Sequence, residues 1–284
     1  MMLPMQRVGL VGVGIIGRAI ADTLLAANVP LVVHDVRAAA VDGMPPDVVG
    51  ADVAAVAQRS DVVLIAVQND AQCEAVIAEA LGGCAAGTVI VVHSTVLPAT
   101  VQRLSIAAAE RGVEVLDAPV AGSGHEGIRD QSMWVLAGGP EPVVDRMRPF
   151  FARYSGRVLH TGEVGSAAAL KLAHNLFVYL GYQAVRESVE LARAAGVADG
   201  LLAEVTEASQ MMSPSFRVYH DIYEHRSALS RNGGEDAERD LFATYAAVLD
   251  KDVRQAVALA AEHGVELPAA IALQGKGATT YAVD

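Results

Sequence analysis

Residues Gly165–Ala195 read GSAAALKLAHNLFVYLGYQAVRESVELARAA. The stretch opens with small residues and has no proline, and its one later glycine is Gly181. That pattern predicts one continuous helix over 165–195. Some 30 residues at about 1.5 Å each would span roughly 45 Å, longer than a small domain is wide. The helix is therefore expected to leave one domain and form the spine of the next. It is apolar on nearly every side, which predicts a buried helix. A membrane span is the rival, but Lys171, His174, Asn175 and Arg186 would put polar and charged groups at bilayer depth, so no membrane association is expected. Lys171 and Asn175 fall one turn apart on one face. A lysine on a buried helix needs a partner, a shifted pKa or a purpose; the bland alternative is an ammonium snorkelling to the surface.

At the other end of the chain, Arg7–Val11 reads as a short buried strand, followed by Gly12-Val13-Gly14-Ile15-Ile16-Gly17 and an apolar helix to about Ala27. Strand, GxGxxG, helix is the dinucleotide-binding fingerprint. Gly12 permits the tight turn, Gly14 leaves room for a pyrophosphate, and Gly17 lets the helix pack closely. The helix N-terminus offers amides and a positive dipole end to the phosphates. A glycine-rich turn in an unrelated α/β protein is the bland alternative. A second strand, Pro30–His34, ends at Asp35, whose carboxylate can accept from adenosine ribose hydroxyls and would repel a 2′-phosphate, favouring NAD. Arg37 lies two residues on and can pair with that phosphate, which keeps NADP open.

Strand and helix then alternate without a fixed repeat, predicting a parallel, doubly wound sheet. Val62–Val67, Thr88–His93, Val113–Asp117, Ser132–Ala137 and Arg157–His160 are the strands. Helices are expected near 53–58, 71–81, 98–111 and 141–151. Val67-Gln68-Asn69 and Ser94-Thr95 follow strand ends, where open α/β sheets bind ligands. Asp117–Gly124 reads as a glycine-rich loop able to bring amides to a small anion. Beyond Gly196 every periodic segment is helical: 201–208, 216–223, 241–261 and 269–273. Residues 226–240 read as an exposed polar loop, and the tail from Gly275 shows no pattern. The domains are accordingly 1–163, dinucleotide-binding, and 164–284, helical and including the long helix.

The 284 residues are 52% apolar with formal net charge −12. Such acidity repels phosphate backbones and argues against nucleic-acid partners. Cys73 and Cys84 fit neither a metal spacing nor a disulfide framework, and no signal peptide is visible, so a reducing cytoplasm is expected. His220 and His225, five apart, make a poor metal pair, and no metal is expected. Trp134 and the Met211-Met212 pair read as core or interface residues, and His125 as a surface residue of the 117–124 loop.

These motifs, taken in order, resemble the β-hydroxyacid dehydrogenases, the group that includes 3-hydroxyisobutyrate dehydrogenase and tartronate semialdehyde reductase, with 6-phosphogluconate dehydrogenase a distant relative. The resemblance rests on Gly9–Gly17, Ser94-Thr95 with Pro98, Asp117-Ala118-Pro119-Val120, Gly162-x-x-Gly165 with Lys171 and Asn175, and Lys251-Asp252. It implies an N-terminal Rossmann domain, a long connecting helix, and an all-α second domain that helps build a homodimer or homotetramer. It places the catalytic lysine at Lys171 and its partner at Asn175. Cofactor contacts fall on Gly12–Gly17, Asp35, Arg37, Val67, Gln68, Asn69, Ser94, Thr95 and Lys251. Substrate contacts fall on Ser94, Pro119, Val120, Ala121, Gly122, Ser123, Lys171, His174 and Asn175. Two departures stand out. Relatives read Ser-Gly-Gly where this chain has Ala121-Gly122-Ser123, which removes a hydroxyl from a substrate carboxylate, and His174-Asn175 replaces a double asparagine.

The chemistry implied is hydride exchange between nicotinamide and a small β-hydroxyacid or its semialdehyde. Lys171 would remove the hydroxyl proton or, in reduction, supply it, and its charge would stabilise a developing alkoxide. At an ordinary pKa of about 10.4 it is ready as an acid, and needs burial or bound NAD⁺ to serve as a base. An imine reductase of the same architecture and a non-catalytic NAD(H)-binding protein are the alternatives. Both fit poorly with an intact Lys171–Asn175 pair.

Overall fold

The strand before the glycines, β1 (Val8–Val11), pairs in parallel with β2 (Leu31–His34) on one side and β3 (Val62–Ile65) on the other. The computed structural model describes residues 7–122, 124–229 and 236–281. The parallel array continues through β4 (Val89–Val92) and β5 (Glu114–Asp117), in the order β2-β1-β3-β4-β5. Between the strands run α1 (Ile15–Ala26), α2 (Val53–Gln58), α3 (Asp70–Gly83) and α4 (Pro98–Ala109). The central strands β1, β3 and β4 carry no polar side chain because both faces are covered. Alternate residues feed two separate core layers. Val8, Leu10, Val62, Leu64, Val89 and Val91 join one, and Val11, Val63, Ile65, Ile90 and Val92 the other.

The sheet is mostly rather than wholly parallel. The expected loop from Asp117 to Gly124 contains a two-residue strand, β6 (Val120–Ala121), and leads into α5 (Gly124–Arg129). β5 and β6 are one strand interrupted at Ala118-Pro119. Both run antiparallel to β7 (Trp134–Gly138) in unbroken register, Asp117 opposite Gly138 and Val120 opposite Val135. Pro119 donates nothing, but its carbonyl accepts from the Leu136 amide at 3.0 Å. Cross-strand pairing of this kind is invisible to a local reading of Gly, Ala and Pro. α6 (Glu141–Phe151) and β8 (Arg157–Gly162), parallel to β7, complete the sheet.

The long helix, α7, runs from Ser166 to Ala194. The chain divides into two compact units, Met1–Lys171 and Leu172–Asp284, so the division falls within this helix. Its start is held by a side chain from the sheet. Asp117, 1% exposed, accepts from the amides of Gly165 at 2.9 Å and Ala168 at 2.8 Å. These amides are among the N-terminal donors a helix leaves unpaired, and a carboxylate there also meets the positive dipole end. Burial pushes the Asp117 carboxyl up, while the amides of Gly165, Ala168 and Ala167 pull it back. A Cβ at residue 138 would lie 2.4 Å from Asp117 Oδ1, so Gly138 makes room for the arrangement. Contrary to expectation, α7 is not buried all round: Phe177 is 69% exposed and Leu191 72%.

The second unit is helical throughout its described residues: the rest of α7, then α8 (Leu201–Ala208), α9 (Pro214–Leu229), α10 (Asp236–Glu262), α11 (Pro268–Leu273) and α12 (Gly277–Thr280). The predicted loop over 226–240 is largely helix, since α9 and α10 each run well into it. Its centre, 230–235, lies outside the described residues. The tail, read as patternless, holds α12, whose Gly277 amide donates to Asp250 Oδ1 at 2.9 Å. Gly181 lies against Phe216, where a Cβ would come within 2.2 Å of the ring. Tyr179, Leu249, Val253, Ala270 and Leu273 form the core, and Tyr182 stacks on Tyr219 at 4.3 Å. No helix is long and apolar enough to cross a membrane among the described residues.

Replacing Asp117 with alanine would strand two buried amides. We expect Asp117→Ala to lower the unfolding free energy by about 2 kcal/mol or more. Urea denaturation measures this, and a change within about 0.5 kcal/mol would contradict the capping role.

Candidate cofactor and catalytic sites

In the first unit two of the three fingerprint glycines, Gly12 and Gly17, are required sterically. Gly12 has φ +93°, and a Cβ there would lie 2.4 Å from the Ala66 carbonyl oxygen. A Cβ on Gly17 would lie 1.9 Å from the Gly12 carbonyl oxygen. At Gly14 the space is open, with Arg37 Nη2 the nearest atom at 4.0 Å. α1 begins at Ile15 with no side-chain cap, whereas Asp52 caps α2 and Asn69 caps α3. An uncapped helix N-terminus beside an open glycine fits a dinucleotide pyrophosphate.

Asp35 follows β2, its side chain 6% exposed. Its Oδ2 accepts from the Val13 amide at 2.8 Å. Its Oδ1 accepts from the amide of Arg37 at 2.9 Å and from Arg37 Nε at 3.2 Å. Burial pushes the Asp35 carboxyl up, but hydrogen bonds from Arg37 and Val13 outweigh that and hold it below the usual carboxylate range.

Beyond β3 and β4 several predicted contacts have their polar atoms engaged within the fold. Ser94 Oγ accepts from the Val67 amide at 2.8 Å. Asn69 Oδ1 accepts from the Gln72 amide at 2.9 Å, and Gln72 Oε1 accepts from the Gln68 amide at 2.9 Å, a reciprocal cap. Asp70 Oδ1 accepts from the Leu97 amide and from Thr100 Oγ1, tying α3 to the start of α4 and so holding Ser94-Thr95 between them. Pro119, Val120, Ala121 and Gly122 lie at β6 beside β7, Gly122 at φ +139°. Ser123 lies outside the described residues, as do the side chains of His125 and His225. Trp134 is partly exposed with the Arg157 guanidinium 4.4 Å from its ring centre, and Met211 is exposed.

One residue the sequence reading passed over is His93, directly before Ser94. It is buried, with Nδ1 2.6 Å from the Ala118 carbonyl oxygen and Nε2 3.0 Å from the Tyr154 hydroxyl. It thereby joins the end of β4 to the 117–122 segment. Nothing in VIVVH distinguishes this histidine from a strand-end surface residue. Burial pushes its pKa down to about 4.

Lys171 is the last residue of the first unit and is half-buried. In the second unit, Asn175 is 8% exposed and donates through Nδ2 to Asp252 Oδ2 at 2.7 Å. Asp252 is 1% exposed, and Tyr179 donates to the same oxygen at 3.0 Å. Its Oδ1 takes the Lys251 ammonium at 2.6 Å as an ion pair rather than an aligned hydrogen bond. Lys251 also donates to Gln255 Oε1 at 3.2 Å. One buried carboxylate thus gathers Asn175, Tyr179 and Lys251, and fixes the Asn175 amide. His174 is exposed, its Nδ1 3.3 Å from Asn175 Oδ1. Among the described residues no cluster of metal-ligating side chains occurs.

Residues 7–165 match the NAD-binding domain of 6-phosphogluconate dehydrogenase. An uncharacterised oxidoreductase of Mycobacterium tuberculosis is 31% identical over 277 residues, covering 94% of this chain and 91% of that protein. The NAD-dependent L-serine dehydrogenase of Pseudomonas aeruginosa is 29% identical over 76% of this chain and 74% of its own. Among solved structures, M. tuberculosis 3-hydroxyisobutyrate dehydrogenase with L-serine superposes with TM-score 0.80 at 21% identity, covering 98% of this chain and 94% of that one. The chain belongs to the β-hydroxyacid dehydrogenase family of NAD(P)-dependent oxidoreductases.

The buried, neutral His93 predicts an acid weakness. Unfolded, the group titrates near 6.5; folded, near about 4. Its contribution is therefore complete above pH 6.5 and is lost as pH falls from 6.5 towards about 4, a change of about 3 kcal/mol. His93→Gln does not titrate, so the stability gap between wild type and variant should shrink across that window. A gap independent of pH in urea titrations would refute the assignment.

Proposed function

We propose that this oxidoreductase acts on a small β-hydroxyacid or its semialdehyde, with Lys171 as the general acid and base. Bound nicotinamide would supply the hydride acceptor or donor. The protein's own work is to hold the pyrophosphate on the amides of α1, to accept the adenosine ribose at Asp35, and to move one proton at Lys171 Nζ. Val13 to Gly17, the 67–69 and 94–95 segments and Lys251 complete the proposed cofactor contacts. Pro119 to Ser123, Ser94, His174 and Asn175 complete those to substrate. Residues 1–163 would serve the cofactor, and 164–284 substrate and assembly.

The observation that carries the reading is the bond from Asn175 Nδ2 to Asp252. An amide spending a donor on a buried carboxylate cannot rotate freely. It is therefore preorganised to orient a substrate hydroxyl. A relative that oxidises L-serine supports a β-hydroxy substrate. Ala121 replaces the family's hydroxyl, which points to a substrate whose carboxylate takes fewer hydrogen bonds there.

The α7 residues Leu170, Phe177, Ala184 and Leu191 recur every seven positions and are exposed. A stripe with that spacing suits pairing with a second copy of the chain, and we infer a homodimer built on it, or a homotetramer of such pairs. The free thiols Cys73 and Cys84 suit a cytoplasmic location.

A panel of β-hydroxyacids, L-serine and 3-hydroxyisobutyrate included, should show turnover by absorbance of reduced nicotinamide, while cyclic imines with NADPH should not. With the best substrate, Lys171→Ala should lose at least about 10²-fold in kcat and still bind NAD(H). Turnover within about tenfold of wild type would remove Lys171 from the mechanism. Separately, Phe177→Asp combined with Leu191→Asp should yield monomers in light scattering; an unchanged mass would place the interface elsewhere.

A further inference from the structure

The parallel pairing of β4 with β5 stops just before the segment assigned above to the substrate. Among the described residues, the last backbone bond between these strands runs from the Ala118 amide to the Val92 carbonyl at 2.8 Å. The next rung of a parallel ladder would bring the Ser94 amide to the Ala118 carbonyl. That carbonyl instead accepts from a side chain, His93 Nδ1 at 2.6 Å. A carbonyl can only accept, so Nδ1 carries the proton and Nε2 is left as an acceptor. The Tyr154 hydroxyl, 3.0 Å away, donates to it. Both rings are buried, and they meet edge to face at 5.7 Å. The imidazole is therefore held in one tautomer and one orientation. The chain on either side of this link is anchored elsewhere. Ser94 is tied to the Val67 amide beyond β3, and the Pro119 carbonyl to β7 through the Leu136 amide. With a side chain in place of a backbone rung, β4 and β5 can part after Val92 and Asp117 while the Ala118 carbonyl keeps a donor.

We propose that His93 is a positioning residue that sets the gap between residues 94–95 and 119–122 at the carboxyl edge of the sheet, and with it the fit of the substrate. This role rests on the proposed function above, in which 94–95 meet the nicotinamide and 119–122 the substrate. It requires no contact of His93 with either molecule. Without the imidazole the Ala118 carbonyl would be buried with its donor gone, and the segment after it would shift to find another. The cofactor turn at 12–17 follows β1, which is two strands from β4, so dinucleotide binding should change little.

Three replacements separate this role from packing. In His93→Asn the amide nitrogen falls close to the place of Nδ1, in His93→Gln it lies further out, and His93→Leu supplies bulk alone. With the best acid of the panel, His93→Leu and His93→Gln should each raise KM by about tenfold or more, the cost of one buried carbonyl left unmet, with kcat changed less than KM. His93→Asn should bring KM back to within about threefold of wild type. NADH, titrated by fluorescence, should bind wild type and variants with Kd values within about threefold of each other, which also shows that they are folded. If His93→Leu does not fold, His93→Asn against His93→Gln gives the same comparison. Equal KM values for those two, or losses carried by kcat or by NADH affinity, would overturn the positioning role. If no acid turns over, the proposed function fails and hydrogen exchange decides the role of His93. The amides of 118–122 should then exchange about tenfold faster in His93→Gln than in wild type, with protection restored in His93→Asn. Equal exchange in the two variants would overturn it.

Discussion

A carboxylate buried at the end of β5 holds the first amides of α7, and the first unit is arranged to make that possible. Asp117 must leave the sheet at its carboxyl edge, so β5 must end there. The break at Ala118-Pro119 ends it without ending the pairing to β7. Gly138 must lack a side chain, and His93 must hold the Ala118 carbonyl from beneath. The cost of burying this charge is met by the amides of a long helix, whose dipole favours it. The sheet edge and the helix start are thereby joined, and Lys171 lies less than one turn beyond the Ala168 amide.

The second unit repeats the device with different chemistry. Asp252 is as buried as Asp117, but its donors are side chains: an asparagine amide, a tyrosine hydroxyl and a lysine ammonium. Where Asp117 fixes backbone, Asp252 fixes the orientation of a side-chain amide. Breaking either arrangement leaves polar groups without partners in a low-dielectric interior, so each is far more constraining than a surface ion pair. Tyr179, one turn beyond Asn175, joins this group through a hydroxyl whose ionisation is suppressed by burial and by the carboxylate beside it. It serves as a donor and not as an acid.

Much of this was legible in the residues. GxGxxG between an apolar strand and an apolar helix has few readings, because Gly12 and Gly17 answer steric demands of the turn itself and Gly14 leaves open space beside it. Apolar runs of four to six residues identified the buried parallel strands, and a proline-free stretch identified α7. Misreadings fell where local composition and tertiary pairing disagree. The polar run 226–240 looked like a loop, yet α9 and α10 extend into it. The stretch DAPVAGSG looked like a loop, yet three of its residues, Asp117, Val120 and Ala121, pair with β7. The hydrogen bonds that hold Asn69 and Ser94 in place, to the Gln72 and Val67 amides, were likewise not legible in the linear order.

The sequence alone determined the class of fold, the dinucleotide turn, the helical second half and the identity of Lys171 and Asn175 as residues of interest. These follow from periodicity and from short motifs whose physics is complete within a dozen residues. Tertiary structure alone decided which carboxylate caps α7, which one orients Asn175, and that Arg37 covers Asp35. Asp117 and Asp252 find their partners 48 and 77 residues away. Over such separations, burial and the need to satisfy every buried donor select the partner, and neither leaves a mark in the linear order of residues.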